Sequence, residues 1–405
     1  MCSFNLDLST FSEQLLTKSN VDDILYFISF LFVVRNFCFT SAVRMFLQAN
    51  DERFANAKAY LQTLSEVKHP DVSNSDSFDD VERYDLVIVV ITMSRERALT
   101  DEDRLLTYNL GYLTQTVARL QQIVHTDDTN AFQHKKLVVC SVDPLPQRFT
   151  EAWQLSRFVQ TVFRYKNNSA KSYDVITGNM FEREKDDYIF CLRTASQFHS
   201  PYYLVLEDDV LLAENAVGTL SFLMNYCNLF SAIDWLFLKL YYPEKWSGYS
   251  LSWQTVVELD GYAVMGGSLC ASAVVMLPMS KRRKWQMVPL LFWFVVGAVF
   301  TALLCLSIGR QYVELWRQYL VSTHRVVAAP GCCTQATLYP AHVVSDLCSH
   351  LSRVPCDYDF SVDIAIDGFA RVRGLKTYLV QPNIGKHIGL ISNLRRNSKS
   401  ARHFL

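Results

Sequence analysis

The chain has 405 residues, half of them hydrophobic and 20% charged, with a formal net charge of -1. That balance excludes bulk electrostatic attraction to nucleic acid, and no nucleic-acid recognition motif is present, so no such partner is expected. Eleven cysteines without a Cys-x-x-Cys pair fit neither a disulfide scaffold nor a zinc site, and aromatic residues at 13% suit a membrane interface or a sugar-binding cleft.

In chain order, Ile24 to Val34 is an unbroken apolar run and Phe37 to Val43 a second, divided by Arg35-Asn36. Together, Ile24 to Phe46 approach the roughly 20 residues that cross a bilayer, with Arg35 near the middle at a cost of about 3 kcal/mol. No small-residue cleavage site follows, so residues 1–50 read as a cytosolic N-terminus and retained transmembrane anchor, with an amphipathic or buried helix as the alternative. Residues 51–84 are polar, with Ser and Asp crowded from Asp71 to Asp80, and read as a stem.

Asp85 to Thr92 then predicts a buried strand, and Thr107 to Val124 a helix with apolar residues at Leu110, Leu113, Val117, Leu120 and Ile123. A second strand, Lys136 to Val142, ends at Asp143. A strand, a helix and a strand ending in an acid open a nucleotide-binding α/β unit. Arg95 and Arg97, after the first strand, can meet a diphosphate or be surface charges. With no glycine-rich phosphate loop present, a metal is the expected phosphate holder. The sequon at Asn167 lies in a polar loop open to glycosylation if luminal.

After a helix over Asp186 to Phe198, the stretch Tyr202-Tyr203-Leu204-Val205-Leu206-Glu207-Asp208-Asp209 is an apolar strand that breaks into three carboxylates. Hard oxygen ligands at the carboxyl end of a strand suit Mn²⁺ or Mg²⁺; a solvated turn is the alternative. A helix over Ala216 to Phe230 and a strand over Trp235 to Leu240 follow.

Gly261 to Met279 and Val288 to Ile308 carry no charge and flank the basic block Lys281-Arg282-Arg283-Lys284. This reads as a transmembrane hairpin with a cytosolic tip by the positive-inside rule, its small residues suiting close helix pairing; a soluble loop and strand is the alternative for the first segment. Both flanks are then luminal. Seven cysteines fall there (Cys140, Cys191, Cys227, Cys332, Cys333, Cys348 and Cys356), and some should pair in an oxidising compartment, with connectivity open. Further on, Cys356 to Asp367 is acid-rich and opens a helix to Arg373 on which Asp363 and Asp367 share a face. A short strand, Thr377 to Val380, leads into Gln381-Pro382-Asn383 and His387-Ile388-Gly389, before a basic tail.

The Tyr-Tyr-Leu-Val-Leu-Glu-Asp-Asp strand, the helix before it and the terminal Gln-Pro-Asn-x-x-x-His-Ile-Gly resemble the GT-A glycosyltransferases, in particular the N-acetylglucosaminyltransferase IV group. An α/β domain interrupted by a tandem transmembrane hairpin behind an N-terminal anchor resembles the family of Golgi GPI-anchor N-acetylgalactosamine transferases. The resemblance implies an α/β GT-A (Rossmann-like) fold in two luminal parts, residues 85–260 and 310–405, around a hairpin at 261–309. It implies a multi-pass Golgi membrane enzyme that moves N-acetylgalactosamine from UDP-GalNAc to a mannose of the GPI core on GPI-anchored proteins. It gives Asp209 the direct contact to Mn²⁺, Glu207 and Asp208 ribose and water-mediated contacts, and His387 a place near the metal or diphosphate; Arg95 and Asp143, after the first two strands, are the candidates read from position for the nucleotide side. Inversion at the sugar requires a carboxylate base: Asp363 is the first choice, with Asp367 and Asp359 as alternatives. An N-glycan N-acetylglucosaminyltransferase and a non-catalytic binder of GPI-anchored cargo are the competing readings.

Overall fold

In the computed structural model of the protein, the described residues are 47–65, 83–95, 110–126, 132–165, 179–243, 248–249, 253–276, 290–310, 313 and 324–389. The expected N-terminal anchor, the Ser/Asp-rich patch, Arg97, the sequon, the basic hairpin tip and the basic tail lie outside them.

The expected first strand forms as β1 (Leu86–Thr92), in which every residue but Ile91 is buried. Such a run has no polar face because both sides of the strand are covered. Leu86, Ile88 and Val90 point into one core and Val87 and Val89 into the other, the two-residue alternation of a strand. β1 lies between β2 (Lys135–Ser141) and β4 (Tyr202–Glu207), both parallel to it, and β3 (Gln160–Phe163) extends that edge in parallel. Antiparallel to β4 runs β8 (Ala336–Pro340), then β6 (Trp235–Lys239), β9 (Lys376–Gln381) and β7 (Arg325–Ala328) complete an eight-stranded mixed sheet, β3-β2-β1-β4-β8-β6-β9-β7. The mixed α/β fold is thus established.

Helices cover both faces. α2 (Tyr112–Thr126) and α5 (Ala216–Tyr226) place Leu113, Val117, Leu120, Val217 and Leu220 in the first core. α4 (Met180–Ser196), α8 (Ala341–Leu351) and α9 (Val362–Arg373) pack Leu192, Leu347 and Phe369 into the second. A short α3 (Thr150–Leu155) follows β2. α1, residues 47–65, differs from the expected loose stem: Ala57 and Leu61 join the first core, Asn50 Nδ2 donates to the Leu110 carbonyl at 3.2 Å, and Arg53 Nε to Gln115 at 3.1 Å. Phe54, Ala57, Leu61 and Leu64 recur at helical spacing there, a stripe masked in the sequence by the surrounding charge.

Between β6 and β7 stand α6 (Trp253–Met276) and α7 (Leu290–Ile308), long and apolar enough to cross a membrane, with mean hydropathies of 1.4 and 2.4 in their apolar windows. They pack on each other through glycine: a Cβ on Gly266 would stand 1.9 Å from Thr301 Oγ1, and one on Gly297 2.5 Å from Cys270 Cβ, the close approach that small residues permit. Because β6 and β7 both border β9, the chain leaves and re-enters one sheet across this pair. Glu258 on α6 receives Arg310 at 3.0 Å and Arg325 of β7 at 3.3 Å, tying the base of the pair to the sheet.

Two disulfides form among the seven cysteines, Cys140–Cys191 between β2 and α4 and the adjacent pair Cys332–Cys333, whereas Cys227, Cys348 and Cys356 are thiols.

Candidate active site

Parallel strands deliver their last residues to one edge of the sheet. Ile91 pairs with Glu207 and Thr92 with Ser141, so the loops bearing Arg95, Asp143 and the Glu207-Asp208-Asp209 triplet meet there, where open α/β sheets bind ligands. The triplet closes a tight turn between β4 and the short β5 (Val210–Leu212), which pairs with β10 (Gly385–His387). That second pairing brings the C-terminal segment back over the triplet.

Asp208 and Asp209 are almost fully buried, and bonds from three other elements hold their turn. Thr92 Oγ1 donates to Asp208 Oδ2 at 2.6 Å, while the backbone of the turn is pinned by Asp208 N to the Ile91 carbonyl at 3.1 Å and by Thr116 Oγ1 to the Asp208 carbonyl at 2.7 Å. Arg95 bridges the pair, with a guanidinium nitrogen 2.7 Å from Asp208 Oδ1 and 2.8 Å from Asp209 Oδ2. Burial opposes the Arg95 charge, but the two aspartates outweigh it and raise its pKa. Burial likewise raises Asp208, against the pull of Arg95. Arg95 thus offsets part of the negative charge that the two buried carboxylates gather at this edge.

His387 Nε2 reaches Asp209 Oδ2 at 3.2 Å, its ring stacked on Tyr241 with centroids 5.9 Å apart. The Ile388 amide donates to the Asp209 carbonyl at 2.8 Å. Glu207, Asp209 and His387 each offer a ligand atom, all within 4.8 Å of one another. Two carboxylates and an imidazole are a donor set that suits Mn²⁺, so the residues present fit a divalent cation.

Asp143 is buried and bonded to the neighbouring backbone: Oδ2 accepts from Ser94 N at 3.0 Å and Oδ1 from Leu145 N at 2.7 Å. It therefore fixes the loop that carries Arg95. Asp363 sits in the first turn of α9 and lines a cavity of about 360 Å³ together with Arg95, Glu184, Glu207, Asp209 and Cys333. Its carboxylate accepts from Cys333 N at 3.0 Å, Ile364 N at 3.1 Å and the Ser361 hydroxyl. Asp367, one turn on, lies behind this cavity against Gly331, whose Cβ would stand 2.7 Å from Asp367 Oδ2. Burial raises the Asp367 carboxyl, against the charge of Lys239. Asp359 is exposed, in a turn capped by Asp357.

Sequence reasoning assigned no role to Thr92, Thr116, Cys333 or Glu184. Thr92 was legible as the polar end of an apolar strand. Nothing local marks Thr116, on a helix far along the chain, or the Cys332–Cys333 pair, whose residues adopt φ of 107° and 74°.

The crystal structure of mouse xyloside xylosyltransferase 1 in its apo form is similar at 10% identity and a TM-score of 0.28, over 72% of this chain and 83% of that one. A family model described as GPI-N-acetylgalactosamine transferase PGAP4 matches residues 86–386, from the first residue of β1 to the residue before His387. A match over that much of the chain, enclosing the strand edge and its carboxylates, places the protein in this family of glycosyltransferases.

Proposed function

We propose that the protein is an inverting, Mn²⁺-dependent GT-A transferase that moves N-acetylgalactosamine from UDP-GalNAc to a mannose of the GPI core on GPI-anchored proteins. The observation that carries this reading is the convergence of Glu207, Asp209 and His387 within 4.8 Å at the carboxyl end of β4, in a chain of the GPI-N-acetylgalactosamine transferase family. These three residues would hold the cation, which when bound offsets the charge that develops on the departing diphosphate. Arg95 lies beside the same carboxylates and supplies a second positive charge there, and Asp143 holds its loop in place.

Asp363 serves as the base. Each carboxylate oxygen can accept two hydrogen bonds; Oδ2 takes one from Cys333 N and keeps a lone pair for the acceptor hydroxyl. As that hydroxyl's oxygen bonds to the anomeric carbon, its proton passes to Asp363, the bond from the anomeric carbon to the β-phosphate breaks, and UDP leaves. Asp367, turned toward Gly331, and the exposed Asp359 are set aside for this role.

The α6–α7 pair is taken to span the Golgi membrane, both flanks luminal, because one crossing would divide a single sheet between two compartments. A lipid-anchored acceptor then lies at the height of the cleft. The deciding experiment incubates the full-length protein in detergent with Mn²⁺, a synthetic GPI-core glycan and UDP-GalNAc or UDP-GlcNAc in turn. Transfer from UDP-GalNAc, abolished by EDTA and by Asp209→Ala, is the expected result; transfer from UDP-GlcNAc alone would overturn the donor, and no transfer from either would overturn the reading.

A further inference from the structure

Two carboxylates that line the cavity have no part in the chemistry above: Asp187, which is paired with Arg164, and Glu184. Glu184, on the second turn of α4, lines the same cavity as Asp363, Glu207 and Asp209. Its Oε2 is buried with no hydrogen-bond partner among the described residues, and so is the side-chain oxygen of Gln335, which lines the same cavity as Glu207. Leaving a buried acceptor unsatisfied costs about 1–3 kcal/mol, and natural proteins leave few such groups without a reason. These acceptors, both on the lining of one cavity, match a ligand rich in hydroxyl or amide donors, as a sugar is.

Glu184 is also held in register with Asp363. Asn179 caps α4 by accepting from Phe181 N at 3.0 Å, and its Nδ2 donates to the Cys356 carbonyl at 2.9 Å. Glu182 accepts from Cys356 N at 2.8 Å, and Lys185 Nζ donates to the Val354 carbonyl at 2.8 Å. Three of these bonds, to Cys356 and Val354, lash the start of α4 to the segment that leads into α9, on either side of Glu184 in the sequence. Burial, reinforced by the charges of Asp363 and Asp187 and opposed by Arg183, pushes the Glu184 carboxyl up to about 7. Two neighbouring carboxyls whose environments differ in this way divide their roles: Asp363 is bonded to three donors, and Glu184 can hold a proton and either give or take a hydrogen bond.

We propose that Glu184 seats the acceptor sugar, its carboxyl hydrogen-bonding the hydroxyl next to the one that Asp363 deprotonates. The inference rests on the function proposed above and adds the residue that selects an acceptor with two adjacent hydroxyls. Glu184 is thus a specificity-determining residue, distinct from the base.

The test measures initial rates of full-length protein in detergent against UDP-GalNAc and against a synthetic GPI-core mannoside, each varied separately. Glu184→Ala is expected to raise the acceptor KM about tenfold, the effect of one lost hydrogen bond, with the donor KM and Mn²⁺-dependent UDP binding kept and the fold intact by circular dichroism. Glu184→Gln, which retains hydrogen-bonding atoms of the same reach, should fall between the wild type and Glu184→Ala. An unchanged acceptor KM in Glu184→Ala overturns the proposal, as does a fall in kcat at constant acceptor KM. If the wild type itself transfers nothing, the functional reading fails and the proposal with it; if the wild type transfers and the variants bind acceptor normally, only the role of Glu184 fails.

Discussion

Gly389 lies so close to Asp209 that a Cβ on it would stand 1.8 Å from Asp209 Oδ2, the oxygen that also receives Arg95 and His387. A chain segment that reaches the site last is therefore shaped around a carboxylate in the turn after β4.

That fit predicts the outcome of adding one methyl group. Gly389→Ala must push Asp209 aside, because backbone at this distance cannot yield without moving β10. Affinity for Mn²⁺-UDP, read by calorimetry, should fall at least tenfold while the melting temperature changes little. Wild-type affinity in this variant would detach Gly389 from the site.

His387 offers a sharper probe of the cation. Removing its imidazole deletes one of the three proposed ligand atoms, so His387→Ala should weaken Mn²⁺ binding by at least tenfold, followed by the paramagnetic resonance signal of free Mn²⁺. His387→Gln, which keeps a neutral donor atom, should lose less. Equal binding by all three proteins would count against His387 as a ligand.

The adjacent disulfide bears on the base. Cys332 and Cys333 both adopt left-handed backbone, which costs a non-glycine residue of order 1–3 kcal/mol unless surroundings impose it, and Lys239 Nζ grips the loop through the Pro330 carbonyl at 3.2 Å and that of Cys332. Cys332→Ala frees the loop, and the Cys333 amide then leaves Asp363. We expect kcat to drop several-fold with donor KM constant, and a mild reductant to reproduce the drop in the wild type but not in the variant.

Burial of acid in the cavity couples stability to pH. Glu184, at about 7, and Asp187, raised to about 6 chiefly by burial against the pull of Arg164, both titrate above their ordinary values. A raised carboxyl stabilises the fold fully below its unfolded pKa, about 4, and loses that contribution as pH rises through the folded value. The melting temperature should therefore decline from about pH 4.5 to 7, and Glu184→Gln should flatten part of that decline, on the order of 3 kcal/mol of stability at pH 8. A wild-type and variant pair with parallel profiles would contradict the buried acid.

At the base of the apolar helix pair, Glu258 and Arg310 are nearly inaccessible, with side chains 8% and 4% exposed. Arg310→Ala removes the more buried of the two arginines on Glu258 and leaves Arg325, so it should cost about 1–3 kcal/mol, whereas the double change Glu258→Gln with Arg310→Met should cost less than the sum of its parts. Thermal unfolding in detergent measures both. Additive costs would show that the pair does not hold the helices to the sheet.

Much of the fold was legible because it is written locally. An apolar run bounded by charge, such as Leu86 to Ile91 or Leu204 to Leu206, has few ways to hide except as a buried parallel strand, and the uncharged stretch before Ile308 can only be a long apolar helix. α1 escaped notice because its apolar stripe is narrow and sits among Asp51, Glu52, Arg53 and Lys58, so a packed helix looked like a polar stem. Among the cysteines, spacing said nothing of Cys140 with Cys191, which β2 and α4 bring together only once both pack in the second core.

Sequence by itself determined the elements and the chemistry they carry: the carboxylate triplet at the end of a strand, the acid-rich start of α9, and the apolar hairpin dividing the domain. Tertiary structure alone decided which of these groups meet. The β5–β10 pairing sets His387 and Gly389 on Asp209, the side-by-side register of β1 and β4 hands Arg95 to Asp208 and Asp209, and the lashing of α4 to the loop before α9 turns Glu184 and Asp363 to one cavity while Asp367 faces Gly331. The physical reason is range: hydrophobic patterning and helix capping act over a few residues, whereas a site is the meeting of side chains from segments far apart, fixed only when the sheet and its covering helices close.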